Sequence, residues 1–364
     1  MKKTRAGIKT LYGEFNLGNK LQNYAVVYNL KKLGYEVTTL QYQTKARNFL
    51  VRIKSHAKSL IKLVLSVLPF VSRWNAKEFV NDKKRSKEFK KFSYKYLNVS
   101  RPMTKFRFSQ QYIDSFEYIF LGSDQVWNEE FLDKEDLEYF LGLNDRAHTI
   151  GLSGSFGISK ISNNHIKIYE KGFRKMKAIS VREEAGADIV YELIDTKPIV
   201  LIDPVMSLSR KEWCEVSKPP RMQLPNSYVL CYLLGDKTIY QKQIEKYSKH
   251  NNLTIIDIMD KKMEYYLSGP SEFLHLVNNA DFICTDSFHG CVFSLIFNKP
   301  FQAFERIGKG NNMSSRISTL LDTFDCDHAR CDTVKKREFD WDSINRKIEI
   351  EKEKFFNFLN SNTK

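Results

Sequence analysis

Several features that would narrow this chain's function at once are missing from it. The six cysteines (Cys214, Cys231, Cys284, Cys291, Cys326 and Cys331) form no CxxC pair. Four of them lie in or beside apolar stretches, where cysteine behaves as a small hydrophobe. The pattern argues against a secreted disulfide framework and for reduced thiols in a cytoplasmic protein. No stretch reaches the roughly eighteen apolar residues of a membrane-spanning helix, so a soluble protein is expected. The start, MKKTRAGIKTLYGEFNLGN, has the basic end of a signal peptide without its apolar run. GxGxxG is absent, which removes direct support for a dinucleotide, and no repeat has a solenoid period. His328 stands near Cys326 and Cys331 without a standard zinc spacing, and DCD at Asp325–Asp327 is too short a match to assign a metal.

What the chain does have is length and positive charge. Its 364 residues, 42% of them hydrophobic, exceed one ordinary domain, and two α/β domains are the natural expectation. The formal charge of +15 favours anionic partners: phosphorylated metabolites, an anionic membrane face or nucleic acid.

Short apolar runs alternate with helical patterns, the signature of parallel strands joined by crossover helices. Strands are expected at AGIKTLYG, YEVTTLQY, Tyr118–Gly122, His148–Leu152, Ala178–Val181 and Ile199–Ile202. Between the first two, Leu21, Tyr24, Ala25, Tyr28 and Leu33 share one helical face, with Gly34 as the stop. The Pro-rich SKPPRMQLPN divides the chain into 1–216 and 217–364. Beyond it SYVLCYLLG, LTIIDIM, ADFICTDS and PFQAFER read as strands and WDSINRKIEIEKEKFFNFLN as a charged terminal helix. The fold class expected is α/β, two doubly wound Rossmann-like domains facing across a cleft, with ligands beyond the carboxyl ends of the strands.

A basic insertion at about 48–100 interrupts the first domain. In its first part, 50–71, Lys54, Lys58 and Lys62 form a stripe beside Ile53, Ala57, Leu60, Ile61, Val64 and Leu68. That suits peripheral contact with a membrane's inner face, or packing on the chain's own domain with a solvated lysine edge. The second part, KEFVNDKKRSKEFKKFSYKYL, reads as a solvated helix face; with no nucleic-acid module beside it, nucleic acid is not expected as a partner.

Four strand–helix junctions carry polar side chains. In GEFNLGNKLQNY, Gly13 and Gly18 permit close backbone approach, and Asn19, Gln22 and Asn23 fall in the first helical turn, at a cleft or simply capping. In IFLGSDQVWN, Ser123, Asp124, Gln125 and Trp127 suit a sugar-binding edge or a plain turn. SGSFG, with Ser155, is a small-residue loop able to lie against a ligand. In ISVREEAG, the fork of Arg182 suits a carboxylate or phosphate, or pairs with Glu183 or Glu184.

TDSFHG places His289 after a strand, beside Asp286 and Ser287, at a helix start. An imidazole there can act as a general acid or base near neutral pH. Arg306 and Lys309 follow the next strand and add positive charge to the same rim.

The ordered set LGNKLQNYAV, FLGSDQVWN, YFLG, SGSFG, ISVREEAG, LIDPV and NNADFICTDSFHGCVFSLIFNKPF resembles the polysaccharide pyruvyl transferase family over nearly the whole chain. The resemblance implies a glycosyltransferase-B-like fold, with the acceptor on the first domain and the donor on the second. It implies a reaction that moves an enolpyruvyl unit from phosphoenolpyruvate onto two hydroxyls of one sugar, with no cofactor. Arg182, His289 and Lys309 match basic positions of the family pattern, and Asp124 is a second proton-transfer candidate. Where the pattern has Arg-Leu before the histidine, this chain has Ser287-Phe288, so a donor-facing charge is missing or comes from elsewhere, Arg306 being one source. The acceptor implied is a surface polysaccharide sugar or a lipid-linked oligosaccharide. The rivals are a glycosyltransferase of the same fold using a nucleotide sugar, and a non-catalytic glycan-binding relative.

Overall fold

Strand β1 (Arg5–Lys9), helix α1 (Leu17–Lys32) and strand β2 (Glu36–Thr39) open the chain. After helices α2 (Arg73–Tyr96) and α3 (Gln110–Ile113) come β3 (Tyr118–Leu121), α4 (Lys134–Phe140) and β4 (His148–Gly154). Helix α5 (Ile166–Lys175), β5 (Ala178–Val181), α6 (Glu184–Ile194) and β6 (Ile199–Val200) complete a parallel sheet in the order β2-β1-β3-β4-β5-β6. A 3₁₀ turn (Pro204–Ser207) and α7 (Arg210–Val216) lead to the second lobe. There β7 (Tyr228–Tyr232), α8 (Thr238–His250), β8 (Thr254–Asp257), α9 (Pro270–Asn279), β9 (Phe282–Thr285), α10 (Phe288–Ile296) and β10 (Phe301–Ala303) follow in turn. They build a second parallel sheet, ordered β10-β9-β7-β8, and α11 (Ser314–Thr323) and α12 (Trp341–Asn362) end the chain. This is a computed structural model describing residues 3–13, 15–42, 73–102, 110–143, 145–307, 314–330 and 333–363. The expected basic stripe at 50–71 and Lys309 lie outside the described residues. Among the described residues no helix is long and apolar enough to cross a membrane.

The strands are buried on both faces because helices cover both sides of each sheet, which is why they read as continuous apolar runs rather than alternations. All of Tyr118–Leu121, Tyr228–Tyr232 and Phe282–Thr285 are buried. Every strand expected from the sequence is present, each within a few residues of its expected bounds.

Helix α1 is buried nearly all round, including the polar Asn19, Lys20, Gln22, Asn23 and Asn29. It packs on its own sheet and, through the other side, on the second lobe, so no solvated face is left for it. Leu33, expected on its buried face, is 41% exposed, because the helix ends at Lys32 and Leu33 serves as the cap. An aromatic series continues from this helix across the lobes. Tyr24 lies 5.5 Å from Trp213, which lies 5.1 Å from Phe293, which lies 5.7 Å from Phe273. Buried residues of both lobes therefore form one continuous core.

Helix α2 departs from the solvated face expected of it. Arg85, Phe89 and Phe92 are buried, and the Arg85 guanidinium donates to the carbonyls of Ile258 (2.8 Å) and Tyr266 (2.7 Å) in the second lobe. Asn81 donates to the Lys261 carbonyl (2.9 Å), and Lys261 pairs with Asp82 at 2.8 Å. The charged residues point outward; an arginine inside the lysine run is what the sequence pattern concealed. Helix α12, assigned to the second domain, returns at its end to the first: Tyr35 donates to the Thr363 carbonyl, and Lys177 to that of Asn362 (2.8 Å).

Replacing Arg85 with Leu strands two buried carbonyls. The expected loss is roughly 2–4 kcal/mol, read as a lowered urea midpoint; an unchanged midpoint would show that α2 does not fasten the lobes.

Candidate active site

His289 sits on the first turn of α10, directly after β9, and is only 6% exposed. Two glycines make room for it. A Cβ on Gly290 would lie 2.1 Å from Thr285 Oγ1, so this residue must be small for the turn to close. A Cβ on Gly18, at the start of α1 in the other lobe, would lie 2.1 Å from His289 Nδ1. The imidazole thus rests against bare backbone across the interface.

The other lobe supplies the groups that meet it. Arg182, one residue beyond β5, donates from Nη1 to Asp203 Oδ2, and His289 Nε2 stands 3.6 Å from the same oxygen. Asp203 follows β6; its second oxygen accepts from Val205 N (3.0 Å) and starts the 3₁₀ turn, while Ser123 Oγ donates to Oδ2 at 3.2 Å. Asp124 follows β3 with φ of 71°, in the left-handed region. It is held there by several donors: Asn19 Nδ2 to Oδ2, Gln125 N to Oδ1 at 2.9 Å, and ion pairs from Arg182 Nη2 (3.7 Å) and Arg316 Nη1 (3.6 Å). The guanidinium carbons of Arg182 and Arg316 lie 4.5 Å and 5.8 Å from the centre of the Phe288 ring.

Burial pushes the Asp203 carboxyl up, but contact with His289 and the charge of Arg182 outweigh it and hold the group well below the usual carboxylate range. For Arg182 burial acts downward, and the charges of Asp203, Asp124 and Glu183 more than reverse it. Burial, then the neighbouring Arg182 charge, bring Arg316 down to about 10, so it too is charged at neutral pH. Arg182 Nε and Nη2 and His289 Nε2 are buried without hydrogen-bond partners. Such groups cost free energy unless something occupies them, and here they are gathered at the interface of the two lobes. The donor set suits a small anion, with an imidazole at hand for proton transfer.

The expected site residues divide into two groups. Arg182, His289, Asp124, Asn19 and Ser123 are brought together. Arg182 pairs with Asp203 and Asp124, not with the adjacent glutamates, since the Glu183 carboxylate faces the SGSFG loop. There Glu183 Oε1 accepts from Ser155 Oγ (2.9 Å), Phe156 N (2.8 Å) and Gly157 N (3.1 Å). Ser155 therefore binds a carboxylate of the protein itself. Asp286 spends both oxygens on the backbone amides of Leu234 and Gly235, each at 2.7 Å, fixing the loop after β7. Arg306 is anchored on that residue, donating to its carbonyl at 3.1 Å. Ser287 is buried as the α10 cap, and Gln22 donates to Thr10 Oγ1 at 2.7 Å. Trp127, expected on a sugar-binding edge or beside a plain turn, is fully buried, its indole N–H donating to the Phe140 carbonyl (3.2 Å) beneath Gly154.

Asp203 and Arg316 were not among the site residues expected from the sequence, and Phe288 was noted only as a departure from the family pattern. For Asp203 a signal existed, an Asp-Pro directly beyond a short strand; for Arg316 there was none, since it is one basic residue among many on a helix.

Two facing parallel α/β lobes with their charged groups at the carboxyl ends of the strands define the glycosyltransferase-B architecture. UGT89C1 from Arabidopsis thaliana, complexed with UDP-L-rhamnose, superimposes with a TM-score of 0.50 at 9% identity, covering 99% of this chain and 98% of that one. UDP-GlcNAc 2-epimerase from Methanocaldococcus jannaschii gives 0.46 at 11% identity, covering 96% and 92%. Among curated proteins nothing matches the chain. The sequence model of the family described as Polysaccharide pyruvyl transferase matches residues 16–306, and the chain belongs to that family.

Two outcomes follow from this geometry. Gly18→Ala forces the His289 ring to move, so its imidazole NMR signals shift while the protein stays folded; unshifted signals would contradict the contact. A carboxyl depressed by folding contributes stability that is fully present above its unfolded pKa, about 3.9, and lost as pH falls toward its folded value. Asp203→Asn therefore costs most above about pH 4, and the gap from the parent narrows in stronger acid; thermal melts across that range check it.

Proposed function

We propose that the chain transfers an enolpyruvyl unit from phosphoenolpyruvate to two hydroxyls of one sugar, in a surface polysaccharide or a lipid-linked glycan precursor, closing a pyruvate ketal. A protein of the cytoplasm, working at the membrane's inner face on a lipid-linked acceptor, fits the basic surplus. The observation that carries the reading is the meeting of Arg182 and His289, from opposite lobes, on Asp203 Oδ2.

The chemistry needs few groups. Protonation of the donor's methylene carbon makes its C2 electrophilic. One sugar hydroxyl adds there, and a second displaces phosphate. One proton is consumed and two are released, the surplus leaving with phosphate. Arg182 holds the donor's anionic end, Nε and Nη2, which make no hydrogen bond, being suited to phosphate or carboxylate oxygens. His289 moves one of the protons, Nε2 making no hydrogen bond. Asp124, fixed by Asn19 and two arginines, accepts a proton from an acceptor hydroxyl. Asp203 touches neither sugar nor donor in this scheme; it orients Arg182 and His289. The scheme draws on no metal or bound cofactor.

Purified protein incubated with phosphoenolpyruvate and candidate sugar acceptors is expected to release phosphate. His289→Gln lowers that rate about a hundredfold or more while the fold is kept. Binding of a nucleotide sugar with no phosphate release from phosphoenolpyruvate would replace this reading with sugar transfer. Undiminished activity of the variant in cells would remove the imidazole from the reaction.

A further inference from the structure

We propose that Arg316, on α11, is a donor-binding residue that forms a paired guanidinium clamp with Arg182; this rests on the enolpyruvyl-transfer reading. Arg316 is 2% exposed and comes from the lobe opposite Arg182, yet both reach the same oxygen of Asp124 and lie within 6 Å of the centre of the same phenyl ring. The two contacts to Asp124 Oδ1, at 3.6 Å and 3.7 Å, are ion pairs too long to be hydrogen bonds. That oxygen already accepts from Gln125 N at 2.9 Å. It therefore balances the charge of both guanidiniums, while Arg182 Nε and Nη2 stay without the short, directional bonds a guanidinium makes to a polyanion.

A phosphate or carboxylate group with several oxygens can accept from both forks at once. Of the other carboxylates near the pair, Asp203 is bonded to Arg182 Nη1 and Val205 N, and Glu183 is turned to the SGSFG loop through Oε1. Arg306, the other candidate for a second positive charge, is held by Asp286. Phe288 lies beside both, its ring centre 4.5 Å from the Arg182 guanidinium carbon and 5.8 Å from that of Arg316, which favours two like charges in one place. Because the two forks belong to different lobes, a donor gripped by both also links the lobes.

The test is thermal protection by phosphoenolpyruvate, with KM values for donor and acceptor beside it. The wild-type protein is expected to melt higher with phosphoenolpyruvate, and Arg316→Gln to lose that protection. The variant's KM for phosphoenolpyruvate should rise about ten- to a hundredfold, with the acceptor KM within about twofold. Arg316→Lys, which keeps the charge but not the fork, guards against a misfolded variant and is expected to fall between the two. Protection and donor KM unchanged in both variants overturn the clamp and leave the transfer reading standing. No protection and no turnover in the wild-type protein overturn the transfer reading and the clamp with it.

Discussion

Asp203 lies wholly inside the protein, bonded to Arg182 of its own lobe and 3.6 Å from His289 of the other, and a charge in that position is tolerable only while its partners stay. Removing one partner of a buried pair leaves an uncompensated charge, which costs far more than the pair contributes. The same carboxylate receives Ser123 Oγ from beyond β3 and caps the 3₁₀ turn through Val205 N. One group thus ties together three strand ends of the first sheet and the histidine-bearing helix of the second. The relation between the two lobes and the arrangement of the site are the same constraint.

Helix α1 makes that constraint possible. It is sandwiched between its own sheet and the second lobe, so its first turn must serve both as structure and as site. Gly18 lets His289 approach, Asn19 bonds Asp124, and Gln22 turns back to Thr10. Buried amides on a central helix are costly unless paired; here much of the pairing goes to the loops that carry the site. The aromatic series Tyr24, Trp213, Phe293 and Phe273 and the Arg85 contacts of α2 hold the lobes together outside it. Rigidity away from the site then keeps Arg182, Arg316 and His289 at short range of two carboxylates.

Much of this was legible in the chain. Parallel strands buried on both faces are apolar without interruption, so all of them could be found, and their carboxyl ends named the loops where polar groups had to lie. Arg182, His289, Asp124 and Asn19 are polar residues at those ends, and that is why they could be picked out. The partners could not. Ser155, Asp286 and Ser287 have the same local signature as the residues that converge on Asp203 and Asp124, but the Ser155 and Asp286 hydrogen bonds are spent on Glu183 and on backbone amides, and Ser287 is buried at the start of a helix. Trp127 has a sugar-binding neighbourhood in sequence and a core position in space, because Gly154 leaves a space that only a large ring fills.

By itself the sequence determined the two-lobed parallel architecture, the family and the strand ends at which the polar groups gather, since each depends on periodicity or on neighbours along the chain. Only the tertiary structure decided which polar groups face each other. The pairing of Arg182 with Asp203, the arrival of Arg316 beside it and the packing of a lysine-rich helix through one buried arginine all join residues far apart in sequence. Such contacts are set by how the lobes close over α1, and no local pattern records that closure.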